Sequence, residues 1–249
     1  MPAPGPFLSV IMATRNPGAQ VLAALESVWS QKGVSLELIV VDGGSTDGTV
    51  ALLQAESNRI AVLLTGPDNG LYEAMNKAIG RASGEWLYFL GADDRLVGDR
   101  VLSEVYNWST KTEAGVMTGE IAYNDGRIYK MASRVNTIAR NFVHHQATFY
   151  RRSLFLENGT FDASFTVMGD YEFNIRLWKS HIRFKSIPIR VCACGTGGLS
   201  DSGAWLGYSE EIRVRHKYFD HAKCWIWDLT SVLRWMRKRL ASKPRTSRG

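Results

Sequence analysis

Three cysteines in 249 residues are too few, and odd in number, for a disulfide framework, which points to a reducing compartment. Cys192 and Cys194 alternate along an apolar stretch and are expected to share one face of a strand. With no second ligand pair at metal-like spacing, they read as small packing residues rather than half of a zinc site. No run approaches the roughly 18 consecutive apolar residues of a membrane-spanning helix. The opening MPAPGPFLSVIMATRN carries no basic leader, and its apolar core is too short for a signal peptide, so it reads as a first strand. There is no G-x-x-x-x-G-K-[ST] pattern and no G-x-G-x-x-G after a strand, so P-loop and dinucleotide-binding readings lack their key residues. The body also lacks a basic surplus. Eight Lys and Arg lie between Lys223 and Gly249 against the single acid Asp228, so this tail is +7 and the rest of the chain −1. Nucleic-acid binding is therefore not expected.

What is present fits a soluble α/β domain with an appendage: 45% hydrophobic and 22% charged residues. The first half alternates short apolar runs with helical spacing. FLSVIMA, LELIVVD (Leu36 to Asp42), IAVLLT and EWLYFL are four strand-like runs. Between them, Val21, Leu25, Val28 and Trp29 mark one helix and LYEAMNKAIGRA another. Continuous apolar strands separated by helices predict a mostly parallel sheet covered on both faces. The second half is more mixed. A hairpin is expected around Asp125 and Gly126, a short helix in RRSLFLEN with Gly159 as its C-cap, and a further helix in GDYEFNIRLWKS. WIWDLTSVLRWMRKRL lays Trp225, Ile226, Leu229, Val232, Leu233, Met236 and Leu240 along one stripe, and the closing ASKPRTSRG has the composition of a disordered tail.

One stretch raises a question of charge. YFLGADDRL runs a buried strand straight into Asp93 and Asp94, two acids that repel each other. They read either as a turn that caps the next element or as ligands of a divalent cation. Open parallel sheets bind ligands beyond the carboxyl ends of their strands, where Asp42 also stands.

SVIMATRN, LELIVVDGGSTDGT, DNGLYEAMNKAIGRASGEWLYFLGADD and GDYEFNIRLW occur in the order and spacing seen in glycosyltransferase family 2, which the chain resembles from about Phe7 to Lys179. HHQATFYRRSLF resembles the bacterial polysaccharide and cell-envelope branch of that family. The resemblance implies a GT-A fold, a Rossmann-like central sheet with flanking helices, and inverting transfer from a nucleotide-diphosphate sugar, UDP- or GDP-linked. It implies a catalytic domain over 1–222, with a nucleotide-binding half at about 7–95 and an acceptor half at about 96–222. Residues 223–249 form a C-terminal amphipathic helical extension.

The resemblance also assigns roles. Asp94 stands where the family holds Mg2+ or Mn2+, and a hard cation there can stabilise the departing diphosphate. Asp93 stands nearer the ribose or bridges through water. Ala92 replaces the first acid that many members carry. Thr14, Asn16 and Asp42 would lie against the nucleoside, and Asp68 and Asn76 in the next donor-facing motif. Asp170 in GDYEF matches the catalytic base, which removes the acceptor's proton; as a plain reading it is a helix N-cap. Glu172 is a second candidate there, and His145 of the His144–His145 pair lines the site, since adjacent strand residues face opposite ways. Arg213 and Lys217 fall at helical spacing, toward the diphosphate or on a solvated face. The CGTGGLSDSG stretch reads as a mobile flap or a surface loop.

The basic tail suits a helix lying in an anionic membrane interface, or one packed on its own domain or on a second subunit. The expected acceptor is lipid-linked or polysaccharide, and the expected place is cytoplasmic, peripheral on the inner face of the membrane. Two rival readings are a nucleotidyltransferase of similar fold, which needs basic residues around a triphosphate and finds only Arg15 in ATRNPG, and a non-catalytic sugar-nucleotide or membrane-binding module.

Overall fold

The computed structural model describes residues 5–123, 125–131, 137–194 and 204–241. The glycine-rich stretch after Cys194 and the closing residues lie outside the described residues. Elements follow in the order β1 (Leu8–Thr14), α1 (Gln20–Trp29), β2 (Leu36–Asp42), α2 (Thr49–Ala55), β3 (Val62–Thr65), α3 (Leu71–Ile79) and β4 (Trp86–Phe89). Next come β5 (Arg95–Leu96), α4 (Val101–Ser109), β6 (Val116–Tyr123), β7 (Ile128–Tyr129), β8 (Thr148–Arg151) and α5 (Ser153–Asn158). The chain continues through α6 (Gly169–Lys179), β9 (Phe184–Cys194), α7 (Trp205–Tyr218) and α8 (His221–Ala241).

The strands form one sheet in the order β3-β2-β1-β4-β8-β6-β9-β5, with β7 paired to β6. The expected parallel pairing holds across β3, β2, β1 and β4. Beyond β4 the sheet is mixed: β8 runs antiparallel to both β4 and β6, while β6 and β9 are parallel. The first three strands step outward from β1 and β4 returns to its other side. That reversal opens a crevice at the carboxyl ends of β1 and β4, where ligands of such sheets bind.

Alternate residues of the central strands feed two cores. Leu8, Val10, Met12 and Val40 pack with α1 and α4 on one face, while Ile11, Ile39 and Val41 pack with α3 and α6 on the other. Both faces are dry, so each strand must be apolar throughout, and polar side chains are confined to the strand ends. Register places Thr14 beside Asp42 at that rim. Among the described residues no helix is long and apolar enough to cross a membrane.

Candidate active site

The rim of the parallel half gathers most of the expected donor-side residues. Asp42 is fully buried, and its Oδ1 accepts the N–H groups of Gly44 at 3.1 Å and Ser45 at 2.7 Å. Oδ2 accepts the Ser45 hydroxyl at 2.5 Å. Asp42 therefore shapes the GGST loop whatever else it contacts. Beside it, the Thr14 hydroxyl is buried with no hydrogen-bond partner. An orphaned buried hydroxyl costs stability unless a ligand meets it. Asn16 adopts φ 54° and ties the two loops together, its N–H donating to Ser45 Oγ at 2.7 Å and its Oδ1 accepting from Thr46 N–H at 2.8 Å. Asp68 lies against Gly43 and accepts the Gly70 N–H at 3.1 Å.

After β4 the chain turns on Gly91. A Cβ there would come within 2.5 Å of Asp94 Oδ2 and 3.0 Å of Asp93 Oδ1, so only glycine leaves room for the two carboxylates to converge. Asp93 is exposed and Asp94 is 2% exposed. Gln146 Nε2 donates to Asp94 Oδ2 at 2.9 Å, and the Cys194 thiol bonds the same carboxylate. Burial, and then the neighbouring Asp93 charge, push the Asp94 carboxyl above its usual range. A divalent cation relieves both. The donor set suits a hard cation: two convergent carboxylates, with the buried and unpartnered Gln146 Oε1 close by. Among the described residues no group of three His, Cys, Asp or Glu side chains is arranged to hold a metal alone. That fits an ion that takes one or two carboxylates and completes its shell with phosphate oxygens and water. Cys192 and Cys194 do share a face, with sulfurs 3.3 Å apart. The bond to Cys192, with burial, raises the Cys194 thiol, so it stays a protonated donor and not a thiolate ligand.

Asp170 opens α6, with 8% of its surface exposed. Gly169 allows this: a Cβ there would sit 2.7 Å from the Tyr72 ring, so the helix start can close onto that tyrosine. The Tyr72 hydroxyl donates to Val167 O at 2.7 Å and lies 3.2 Å from Asp170 Oδ1. Oδ1 also accepts the Tyr171 N–H at 2.8 Å, and Oδ2 accepts Asn141 Nδ2 at 2.7 Å. His145 Nδ1 stands 3.6 Å from Oδ2. Burial raises the Asp170 carboxyl, but the His145 hydrogen bond and charge, the His144 charge and the Tyr171 N–H outweigh it, and the net shift is downward. The carboxylate is thus held ionised. Behind it, Tyr150 donates to Asn174 Oδ1 at 3.0 Å, and Asn174 Nδ2 donates to Asn141 Oδ1 at 3.2 Å.

The two acids meet through a single 3-10 turn, His145–Ala147. His145 faces Asp170, and the next residue, Gln146, bonds Asp94. The histidine expectation needs correction on one point. His144 and His145 precede β8 and are not on it, so their rings stack at 5.7 Å and 21° and do not face opposite ways. His144 is half-buried, and desolvation followed by the His145 charge lowers it to about 4; its Nε2 pairs with the Tyr123 hydroxyl at 3.0 Å.

Two expected residues lie elsewhere. Asn76 clamps the Phe161 backbone, Nδ2 donating to its O at 2.8 Å and Oδ1 accepting its N–H at 3.0 Å, so its amide is spent on a loop. Glu172 is two residues from Asp170, roughly 200° around the helix. Its buried carboxylate pairs with Arg176 at 2.8 Å, Lys217 at 2.9 Å and the Tyr218 hydroxyl. Lys217 is spent there and on Asp162, and Arg213 lies on the Phe165 ring and Ser164 O, so neither is directed to a diphosphate.

Sequence reading missed Gln146, Asn141, Tyr72 and Glu210. The buried Glu210 carboxylate on α7 accepts the N–H groups of Thr166 (2.8 Å), Val167 (2.8 Å) and Met168 (3.0 Å), fixing the loop that leads into Asp170. Gln146 and Tyr72 carried a signal, lying within HHQATFYRR and DNGLYEAMNK.

Comparison with known proteins adds four findings. The sequence profile of Glycosyl transferase family 2 matches residues 9–178. The chain is 32% identical over 185 residues to a PGL/p-HBAD biosynthesis glycosyltransferase of Mycobacterium bovis, covering 70% of this chain and 71% of that one. By structure it resembles Staphylococcus aureus TarS 1–349, solved with UDP-GlcNAc, at TM-score 0.71 and 20% identity over 83% of this chain, and it spans 64% of that fragment's length. It also resembles the mannosyltransferase PcManGT of Pyrobaculum calidifontis, solved with GDP-Man and Mn2+, at TM-score 0.67 and 20% identity over 97% of this chain and 77% of that one. These likenesses establish the GT-A fold.

Proposed function

This chain belongs to glycosyltransferase family 2, and from that premise we propose that it is an inverting, divalent-cation-dependent enzyme. It moves a sugar from a UDP- or GDP-sugar to a hydroxyl of a lipid-linked or polysaccharide precursor, at the cytoplasmic face of a membrane. The observation that carries this reading is the 3-10 turn at His145–Ala147, in which His145 approaches the buried Asp170 and the next residue, Gln146, bonds the buried Asp94.

Each residue then has a task. Thr14, Asn16, Asp42 and Asp68 form the nucleoside wall, with the Thr14 hydroxyl free to meet the donor. Asp93 and Asp94 would hold Mg2+ or Mn2+, which when bound would supply positive charge to the departing diphosphate. Asp170, ionised by its surroundings, accepts the proton of the acceptor hydroxyl. That oxygen forms its bond to the anomeric carbon as the bond to the diphosphate oxygen breaks, and the electron pair leaves with the diphosphate. A base on the face away from the leaving group gives inversion. His145 and Asn141 aim the carboxylate, and Tyr72 fixes its other oxygen.

The test is incubation with a panel of sugar nucleotides in Mn2+ or Mg2+, following slow donor hydrolysis and transfer to added acceptor. Chelator, or Asp94→Ala, is expected to cut turnover at least about 100-fold, the scale of losing one preorganised charge-stabilising group. Full turnover in excess chelator overturns the metal step. Donor binding with no turnover under any condition favours the binding-module reading.

A further inference from the structure

Helix α8 wears its two faces the wrong way round for a soluble helix. Asp228 lies against α7, where it accepts from Arg215 Nε at 2.8 Å and pairs with His216 Nε2 at 2.7 Å. Ser231 Oγ accepts from Arg215 at 2.6 Å and donates to Glu211 at 3.1 Å, and Arg234 pairs with Glu211 at 2.6 Å. Arg215 is fully buried in this network. The apolar stripe faces away: Trp225, Ile226, Leu229, Leu233, Met236 and Leu240 are between 47% and 66% exposed. An amphipathic helix ordinarily turns such a stripe to the core. Rolling α8 to do so would leave Arg215, Asp228 and Glu211 buried without their partners, at a cost that holds the observed orientation in place.

We propose that this outward face seats the enzyme on an anionic lipid bilayer. Six large apolar side chains in one stripe exceed the scattered exposure of an ordinary surface. Charge then chooses the occupant. At about 100° per residue, Arg237 and Arg239 border the stripe on its two sides. Asp228, the one acid of α8, faces inward. A second copy would bring an α8 whose one acid, Asp228, is already held by Arg215, and so would offer Arg237 no α8 carboxylate. Lipid phosphates meet these arginines directly. With 21 residues, the helix is long enough to lie about 32 Å along an interface.

The surface also leads toward the chemistry. Trp235 of α8 meets Trp205 of α7 edge-on at 5.1 Å, and Trp205 and Leu206 are themselves 42% and 45% exposed. Gly207 lies against Val167 and Met168, the loop that ends at Asp170. Seating α8 on lipid therefore brings the acceptor side of the site to the bilayer surface, where a hydroxyl carried on a lipid anchor is presented.

The experiment is co-sedimentation of the full chain with vesicles of phosphatidylcholine alone or with one third phosphatidylglycerol. At low salt, roughly tenfold more protein is expected to pellet with the anionic vesicles, and less as salt rises. Leu229→Ser with Leu233→Ser, both exposed, is expected to reduce pelleting to background while circular dichroism is unchanged. Arg237→Gln with Arg239→Gln is expected to lower partitioning on the order of tenfold. Equal pelleting by the leucine variant, or none by the native chain, overturns the proposal. So does a dimer in light scattering that the leucine variant splits, since a second copy then owns the face. Vesicle binding requires neither donor nor turnover, so its failure leaves the transferase reading standing.

Discussion

At the ends of β1, β2 and β3, polar side chains bond mainly to residues close by in the chain or in the adjoining loop: Asp42 to Gly44 and Ser45, Asp68 to Gly70, Asn16 to Thr46. Around α6 and α7 they bond across it. Asp170 takes Asn141 and Tyr72, Glu210 takes three N–H groups more than 40 residues away, and Glu172 takes Lys217. The first rim is a set of short loops, each shaped by its own capping acid. The second is tied across distant segments: Asp170 to Asn141 and to Tyr72 of α3, Glu210 to the loop before α6, and Glu172 to α7. Change in the first is expected to act on ligand contacts; change in the second, on geometry and stability together.

The largest expected effect breaks the second region at its functional tip. Asp170→Asn keeps the hydrogen-bonding shape but removes the base, and turnover is expected to fall about 100- to 10,000-fold, the range for a positioned general base. Donor affinity, measured by calorimetry, is expected to stay near that of the native enzyme, because the donor wall belongs to the other region. A large loss of donor binding would mean that the two regions are not separable.

That contrast also governs what sequence reading reaches. Asp42 and Asp94 are legible because a dry strand admits acids only near its end, and the continuous apolar runs of β1, β2 and β4 announce such strands. Parallel pairing follows for the same reason. β8 defeats it: nothing in TFYR says that it runs antiparallel between β4 and β6. Asp170 is legible only through its motif, since a helix N-cap looks the same. Gln146, Asn141 and Tyr72 lie 52, 29 and 98 residues from the acids they touch, and no local pattern encodes such pairs. Asn76 looked like a donor contact because its motif borders one, but the Phe161 backbone competes for its amide and wins. In α8 the period reveals an apolar stripe and is silent on its direction, which Arg215 decides from another helix.

A smaller effect sharpens the comparison. Glu210→Gln leaves one oxygen and no charge for the N–H groups of Thr166, Val167 and Met168, with a cost of about 1–3 kcal/mol expected in urea unfolding. Because those residues lead into Asp170, kcat is expected to fall while KM for the donor holds. Asp68→Asn, in the first region, serves as the contrast, with the change in KM and little in kcat. Equal profiles for the two variants would erase the distinction between the rims.

The smallest effect concerns proton affinity. Asp170 lies below the ordinary carboxylate range because His145, the His144 charge and the Tyr171 N–H together outweigh burial. His145→Phe keeps the ring stacked on His144 but removes the His145 contribution, so the carboxyl is expected to rise from its lowered position. The base works only when ionised, so the acid limb of kcat is expected to move to higher pH, with the rate near neutrality little changed. Stability moves with the same sign. A depressed carboxyl contributes stability that is complete above its unfolded pKa and disappears as pH falls through its folded value. Losing that depression shifts acid unfolding to higher pH as well. Both limbs are read on one purified variant, by initial rates and by circular dichroism across pH. If neither moves, the 3.6 Å approach of His145 to Asp170 does not set the charge of the base, and the turn at His145–Ala147 only spaces the two acids.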